Sequence, residues 1–163
     1  MTQLLLDNEI PHPRSLIVDT DTRLNGQLNT MGVKAVWIKR GDFHAIHRED
    51  VTFARSLEEV NDVLKEFRLR GIPNAVINEH LEGDLVKFYG VANTDFFYKF
   101  YPFDLSHSKF GHEAINGSAK QFPFSKEELK AVCDKAGEVL GVSIYGGDCV
   151  VAGDGSFKII DFN

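Results

Sequence analysis

The stretch "YGGDCVVAGDGSFKIIDFN" (145–163) constrains the fold more than any other. Two β-type runs flank Gly-Asp-Gly, and an Asp-Gly pair is a strong hairpin signal because both central turn positions favour positive φ. With Asp154 and Gly155 at the turn centre, Asp148 falls opposite Asp161, their Cβ atoms about 5 Å apart. Side chains alternate along a strand, so Asp161 and Asn163 are expected on one face and Ile160 and Phe162 on the other. Two opposed carboxylates on apolar strands repel each other and are costly to desolvate. One reading places a divalent cation between them: Asp148, Asp161 and Asn163 offer the all-oxygen ligand set suited to Mg2+, with Mn2+ as an alternative. The other ends the first strand at Asp148, pairs Asp161 with a lysine and leaves Asn163 as a frayed end. A one-residue slip in register would flip the side chains and decide between them.

The rest of the chain mixes strands and helices without the regular strand-helix rhythm of a doubly wound sheet, which predicts an α+β fold with antiparallel hairpins. "MTQLLLDNEIPHPR" starts as the end of a helix, halted by the prolines at 11 and 13. "SLIVD" (15–19) and "KAVWIKR" (34–40) read as strands, and "DTRLNGQLNTMG" between them as a helix ended by Gly32. Residues 44–56 have strand character. Ser56 with Glu59, and Ser125 with Glu128, are capping boxes that open two amphipathic helices stopped by Gly71 and Gly141. "NAVINEHLEG" and "DLVKFYGVA" read as strands about Gly83, followed by the aromatic "TDFFYKFYPFD", which suits a core or a buried pocket better than a free binding patch. Residues 106–124 read as a loop.

A chain of 163 residues with 43% hydrophobic content can bury a core without disulfides. Its net charge of -6 argues against nucleic acid or an anionic membrane as partner. Cys133 and Cys149 lack metal-ligand spacing and read as buried thiols. No membrane span or signal segment is recognised, which makes the cytoplasm the expected location.

"VWIKRGDFHA", "AVINEHLEGDLVKFYG" and "YGGDCVV...GSFKIIDFN", in that order and at those intervals, resemble the ATP-grasp superfamily over about residues 10–163. The resemblance implies two α+β lobes with mostly antiparallel sheets and the nucleotide site between them. Residues 1–77 would be the small lobe with the phosphate-binding lysine, and 78–163 the larger lobe with the adenine hinge and magnesium hairpin. It implies ATP and Mg2+ as cofactors: Lys39 on phosphate, Glu79 and Leu81 at the adenine hinge through their main chain, Asp84 or Glu82 on ribose, and Asp148, Asp161 and Asn163 on magnesium. Lys87 is expected either as a second phosphate contact or in a surface ion pair.

The implied activity is that of an ATP-dependent ligase module joining a carboxylate to an amine or thiol through an acyl phosphate. Small-molecule kinase is the nearest rival, with a hydroxyl acceptor. A nucleotide-binding module without turnover and a plain interaction domain are the others. Two departures from the family feed these rivals. The stretch after Lys39, "RGDFHAIHRED", has one glycine where many members have a glycine-rich phosphate loop, and puts His44 and His47 there instead. Gly146 stands where some peptide ligases carry an arginine, so either another cation, such as Lys99 or Lys109, is expected to substitute, or the chemistry differs from amide-bond ligation. Lys39, Lys87 and Lys99 are thus the expected catalytic cations, with Tyr101, His107 and Lys109 near the acceptor. The chain is expected to be a fragment of a longer protein, lacking segments at both ends.

Overall fold

The computed structural model describes residues 1–102 and 112–163; His107 and Lys109 lie outside the described residues. The chain divides into two compact units, Pro13–His80 and Met1–His12 with Leu81–Asn163. The division therefore falls three residues beyond the expected 77/78 boundary, and the first twelve residues join the second unit.

In the Pro13–His80 unit, β1 (Ser15–Asp19), β2 (Val36–Arg40), β3 (Val51–Ala54) and β4 (Asn74–Glu79) form an antiparallel sheet in the order β1-β4-β2-β3. Between β1 and β2 the expected helix shrinks to α2 (Gln27–Met31), which ends on Gly32 at φ +62°. Before α3 (Leu57–Leu69), Ser56 Oγ accepts from the Glu59 amide (3.1 Å), while the Glu59 carboxylate reaches one residue beyond the cap to the Arg55 amide (2.7 Å). Val60, Leu64 and Phe67 lie at helical spacing and are buried, packing with Val36, Ile38, Ala75 and Ile77 of the sheet.

The expected strand over 44–56 is a correction: only Val51–Ala54 is extended, and Arg48–Asp50 form a 3-10 turn. The cause is Asp50, fully buried, whose carboxylate accepts the amides of Ile46 (2.8 Å) and His47 (2.9 Å) and pairs with Arg70 and Arg40. A side-chain acceptor that draws two successive amides inward offers the backbone an alternative to a ladder.

In the second unit, β5 (Asp84–Val91), β6 (Phe97–Phe100), β7 (Ile144–Val151) and β8 (Phe157–Phe162) form an antiparallel sheet in the order β6-β5-β7-β8. One face is covered by α4 (Lys126–Leu140), capped by Ser125 Oγ on the Glu128 amide (3.0 Å) and ended by Gly141 at φ +72°. Leu129, Cys133 and Ala136 of α4 pack on Val86, Phe88, Tyr145, Cys149, Ile159 and Phe162. Leu5 of α1 (Thr2–Asp7) and Ile10 close the same core. Cys133 and Cys149 are buried free thiols, and burial pushes both well above the ordinary range. The aromatic segment does not bury as a block: Phe97 is in the core, whereas Phe96 and Tyr98 are exposed. Among the described residues, no helix is long and apolar enough to cross a membrane.

The terminal hairpin reaches the expected pairing by an unexpected route. Its turn is a three-residue loop, Gly153-Asp154-Gly155: the Gly155 amide donates to the Ala152 carbonyl (2.9 Å), Gly155 takes φ +84°, and Ala152 pairs with Ser156 (2.8 Å). The register from Val151↔Phe157 to Cys149↔Ile159 is thus one residue off the two-residue expectation. A β-bulge at Ile160 then restores it, so that Asp148 faces Asp161 and Gly147 faces Phe162. The bulge also breaks the alternation. Ile159 and Phe162 are both buried in the core, and Ile160 stays on the same side as Asp161 rather than opposite it.

Candidate functional site

The face of the second sheet away from α4 presents two rows of side chains set by register. In the first row Phe100, Lys87, Asp148 and Asp161 stand side by side on β6, β5, β7 and β8. In the second, Tyr98, Tyr89 and Gly146 continue across to Asn163, which exchanges both backbone hydrogen bonds with Gly146 (2.8 and 2.9 Å). The intervening residues Val86, Phe88, Cys149 and Ile159 point to the helix side, so a strand period of two separates a dry core from this polar and aromatic face.

In the first row, Lys87 Nζ donates to both carboxylate oxygens of Asp148, at 2.8 and 3.0 Å. Both side chains are partly buried, 24% and 20% exposed, which limits the screening that weakens surface pairs. The ion-pair alternative for Lys87 is therefore realised here, with Asp148 as partner. Gly147, next to Asp148, allows the bulge: a Cβ there would collide with the Asp161 carbonyl oxygen and stand 2.7 Å from the Phe88 ring.

In the second row, the Tyr89 ring lies over Gly146. A Cβ at Gly146 would stand 2.9 Å from that ring and 3.5 Å from Asn163 Oδ1. Tyr89 also stacks on Phe100, with centroids 6.3 Å apart and planes 13° from parallel. An aromatic wall thus borders the carboxylates where an arginine had been one family expectation.

Among the described residues, no three His, Cys, Asp or Glu side chains gather into a metal cluster. The donors available are the Asp148 and Asp161 carboxylates and the Asn163 amide oxygen on one sheet face. They fit a hard divalent cation in their chemistry, oxygen donors throughout, and the Lys87 ammonium shows that Asp148 holds a positive charge in this arrangement.

Lys99 is not brought to this face. Its partner in register is the core residue Phe88, and its ammonium lies 4.6 Å from the Tyr101 ring centroid and 5.3 Å from that of Phe124, on the helix side. The expected catalytic cation Lys99 and its neighbour Tyr101 thus stand on the opposite side of the sheet from Asp148 and Asp161. Asp84, one of two expected ribose ligands, is buried, and its two oxygens accept the amides of Lys120 (2.7 Å) and Phe122 (2.8 Å). Glu82, the other, is exposed.

Leu81 and Gly83 carbonyls both accept from Asn116 Nδ2 at 3.1 Å. Sequence reasoning missed Asn116, which holds the backbone of Leu81 and Gly83; its only signal was the Asn-Gly pair of an otherwise unpatterned loop. In the other unit, Glu79 is buried and accepts the Arg14 amide (3.0 Å) and Arg14 Nε (2.7 Å), so its side chain is engaged structurally. Lys39 stands on β2 between Val51 and Val76, on the sheet side that carries Trp37, whose indole donates to His80 Nδ1 (3.1 Å). His44 lies against the Phe43 ring at 4.1 Å, and His47 caps the Arg48–Asp50 turn.

No protein-family model matches the sequence, and no curated protein matches it. Solved structures do. The D-alanine–D-alanine ligase from Bacillus anthracis, complexed with ATP, superposes with a TM-score of 0.68 at 14% identity, covering 99% of this chain and 52% of the ligase. The D-alanine–D-alanine ligase from Coxiella burnetii gives 0.71 at 9% identity, with 99% and 45% covered. The ATP-grasp ligase PsnB, complexed with precursor peptide PsnA2 and AMPPNP, gives 0.58 at 18% identity, with 99% and 48% covered. The chain spans about half the length of these structures. With two antiparallel four-stranded sheets and a likeness to these structures over 99% of its length, the chain has the ATP-grasp fold.

Proposed function

We propose that this chain is the nucleotide- and magnesium-binding module of an ATP-dependent ligase that joins a carboxylate to an amine or thiol. The observation that carries the reading is the pair of carboxylates, Asp148 and Asp161, held opposite each other beside Lys87 on the sheet face away from α4. It gains support from a fold shared with ligases whose structures contain ATP or AMPPNP.

In this reading Asp148, Asp161 and Asn163 hold magnesium. An ion held there would supply positive charge to the phosphates of the nucleotide. Lys39 and Lys87 offset phosphate charge with flexible ammonium groups, and the main chain of Glu79 and Leu81 meets adenine, the latter steadied by Asn116. Glu82 takes the ribose hydroxyls, because both Asp84 oxygens are already used by backbone amides. These residues position the γ-phosphorus for attack by the acceptor carboxylate and stabilise the charge that develops, which is how phosphoryl transfer is catalysed generally.

Gly146 beneath the Tyr89 ring favours a second reading, a small-molecule kinase or a binding module without turnover, because that place offers no cation to an acyl-transfer transition state. Calorimetric titration of ATP into the chain, with and without Mg2+ and again in Asp148→Asn, tests the common core. Magnesium-dependent binding that the variant loses is the expected result. Equal binding by the variant would overturn the site. Release of phosphate with a carboxylate acceptor, but not with hydroxyl acceptors, separates ligase from kinase.

A further inference from the structure

Asp148 already has a cation. Lys87 and Asp148 are direct neighbours in register on adjacent central strands, and the ammonium sits across both carboxylate oxygens, at 2.8 and 3.0 Å. On the far side of Asp148, directly opposite it on β8, stands Asp161. We propose that Lys87 is a built-in counter-cation that a divalent metal has to displace from Asp148, so that metal entry and release of the Lys87 ammonium to phosphate are one coupled exchange. This rests on the magnesium reading above and adds a role that reading does not contain.

The physical argument is one of shared sites. A magnesium ion binds carboxylate oxygen at about 2.0–2.1 Å, and an ammonium seated across the same two oxygens would be driven off by its charge. Asp148 therefore cannot keep the bidentate Lys87 contact and ligate the metal fully. Lysine suits this exchange because its ammonium is a point charge on a flexible stem, able to leave one anion for another without breaking a planar fork. The strand backbone need not move, since β5 and β7 stay paired from Asp84↔Val151 to Val91↔Ile144. Without the lysine, Asp148 and Asp161 would face each other without its charge beside them, and the metal-free sheet would carry more of their repulsion.

Two consequences follow from mass action. The metal alone binds weakly, because it has to break an ion pair. The metal-nucleotide complex binds with less loss, because the displaced ammonium finds the phosphates. The probe is Mn2+ alone, followed by electron paramagnetic resonance of the free ion, on wild type, Lys87→Met, Lys87→Arg and Lys87→Met with Asp148→Asn. Thermal melts check folding, and Lys87→Gln replaces Lys87→Met should that variant not fold.

Lys87→Met is expected to bind Mn2+ about five- to tenfold more tightly than wild type, the worth of an ion pair that the metal no longer displaces. Lys87→Arg, whose planar fork grips the Asp148 carboxylate, is expected to bind Mn2+ no more tightly than wild type, and the double variant loses the gain. MgATP should move the other way, weaker in Lys87→Met than in wild type. If Lys87→Met binds Mn2+ no more tightly while wild type still binds MgATP, the counter-cation role is overturned and the magnesium site stands. If neither protein binds Mn2+ or MgATP, the magnesium reading falls and this inference with it.

Discussion

Two aspartates in this chain sit beside cations in opposite ways. Asp50 is fully buried, takes two backbone amides, and pairs with Arg70 and Arg40. Asp148 is partly exposed on the sheet face away from α4, holds a flexible lysine across its oxygens, and looks across at a second carboxylate, Asp161. The first arrangement neutralises the charge with rigid donors and ties a turn to a helix end. The second leaves like charges opposed and joins them to a cation that can move. A structural acid is matched by rigid donors around it; if Asp148 holds a metal as proposed, its lysine is a partner it has to give up.

The sharpest way to break the contrast is at Asp50. Asp50→Ala removes the acceptor of the Ile46 and His47 amides and the buried carboxylate that Arg70 and Arg40 share, and is expected to cost about 3 kcal/mol, read as a lowered denaturation midpoint. Burial opposes the charge on Asp50, but the amides of His47 and Ile46 and the Arg70 guanidinium outweigh it and hold the pKa below the usual carboxylate range. A depressed native pKa gives stability that is complete above the unfolded value, about 4, and is lost as pH falls from there toward the native value. Acid titration of stability should therefore steepen below pH about 4 in wild type and flatten in Asp50→Asn.

The next effect tests how the second acid is placed. Gly147→Ala would push a methyl group into the Asp161 carbonyl and the Phe88 ring, so it is expected to cost about 2–3 kcal/mol and to disturb the bulge that sets Asp148 opposite Asp161. Amide exchange of Asp161 and Phe162 measures that disturbance. Wild-type stability and exchange in the variant would show that the bulge does not depend on Gly147.

The bulge also shows what was legible in the residues alone. Both strands, the Gly-Asp-Gly turn and the facing acids could be read from "GGDCVVAGDGSFKIIDF". The loop length is not legible, because Gly155 takes the left-handed position in a two-residue turn and in the three-residue loop alike. The bulge at Ile160 offset the resulting slip for Asp161 but not for Ile160, whose face was misjudged. Caps and stops of α3 and α4 were readable because they are local chemistry. The parity of Lys99 and the burial of Asp50 were not: one depends on how β6 registers against β5, the other on arginines drawn from β2 and from the end of α3.

A smaller effect is expected where function and stability part. Asp161→Asn should change stability by no more than about 1 kcal/mol, and in the stabilising direction without metal, since it relieves repulsion from Asp148. The same change should abolish magnesium-dependent ATP binding. A strongly destabilised Asp161→Asn protein would place Asp161 with Asp50 among the structural acids, and would erase the distinction between the two.

The smallest effect separates the two faces of one sheet. Lys99 and Lys87 lie on neighbouring strands, but Lys99 faces the helix side, over the Tyr101 and Phe124 rings, while Lys87 faces Asp148. Lys99→Met keeps the stem that packs there and removes a cation–π contact worth about 0.5–1 kcal/mol, so stability should fall by that amount or less. Calorimetric titration with MgATP should show no change, whereas Lys87→Met weakens it. If Lys99→Met weakened MgATP binding as much as Lys87→Met does, the parity of β6 would have to be reversed in the nucleotide-bound protein, and the helix-side core built on Phe88 and Phe97 could not survive that reversal unchanged.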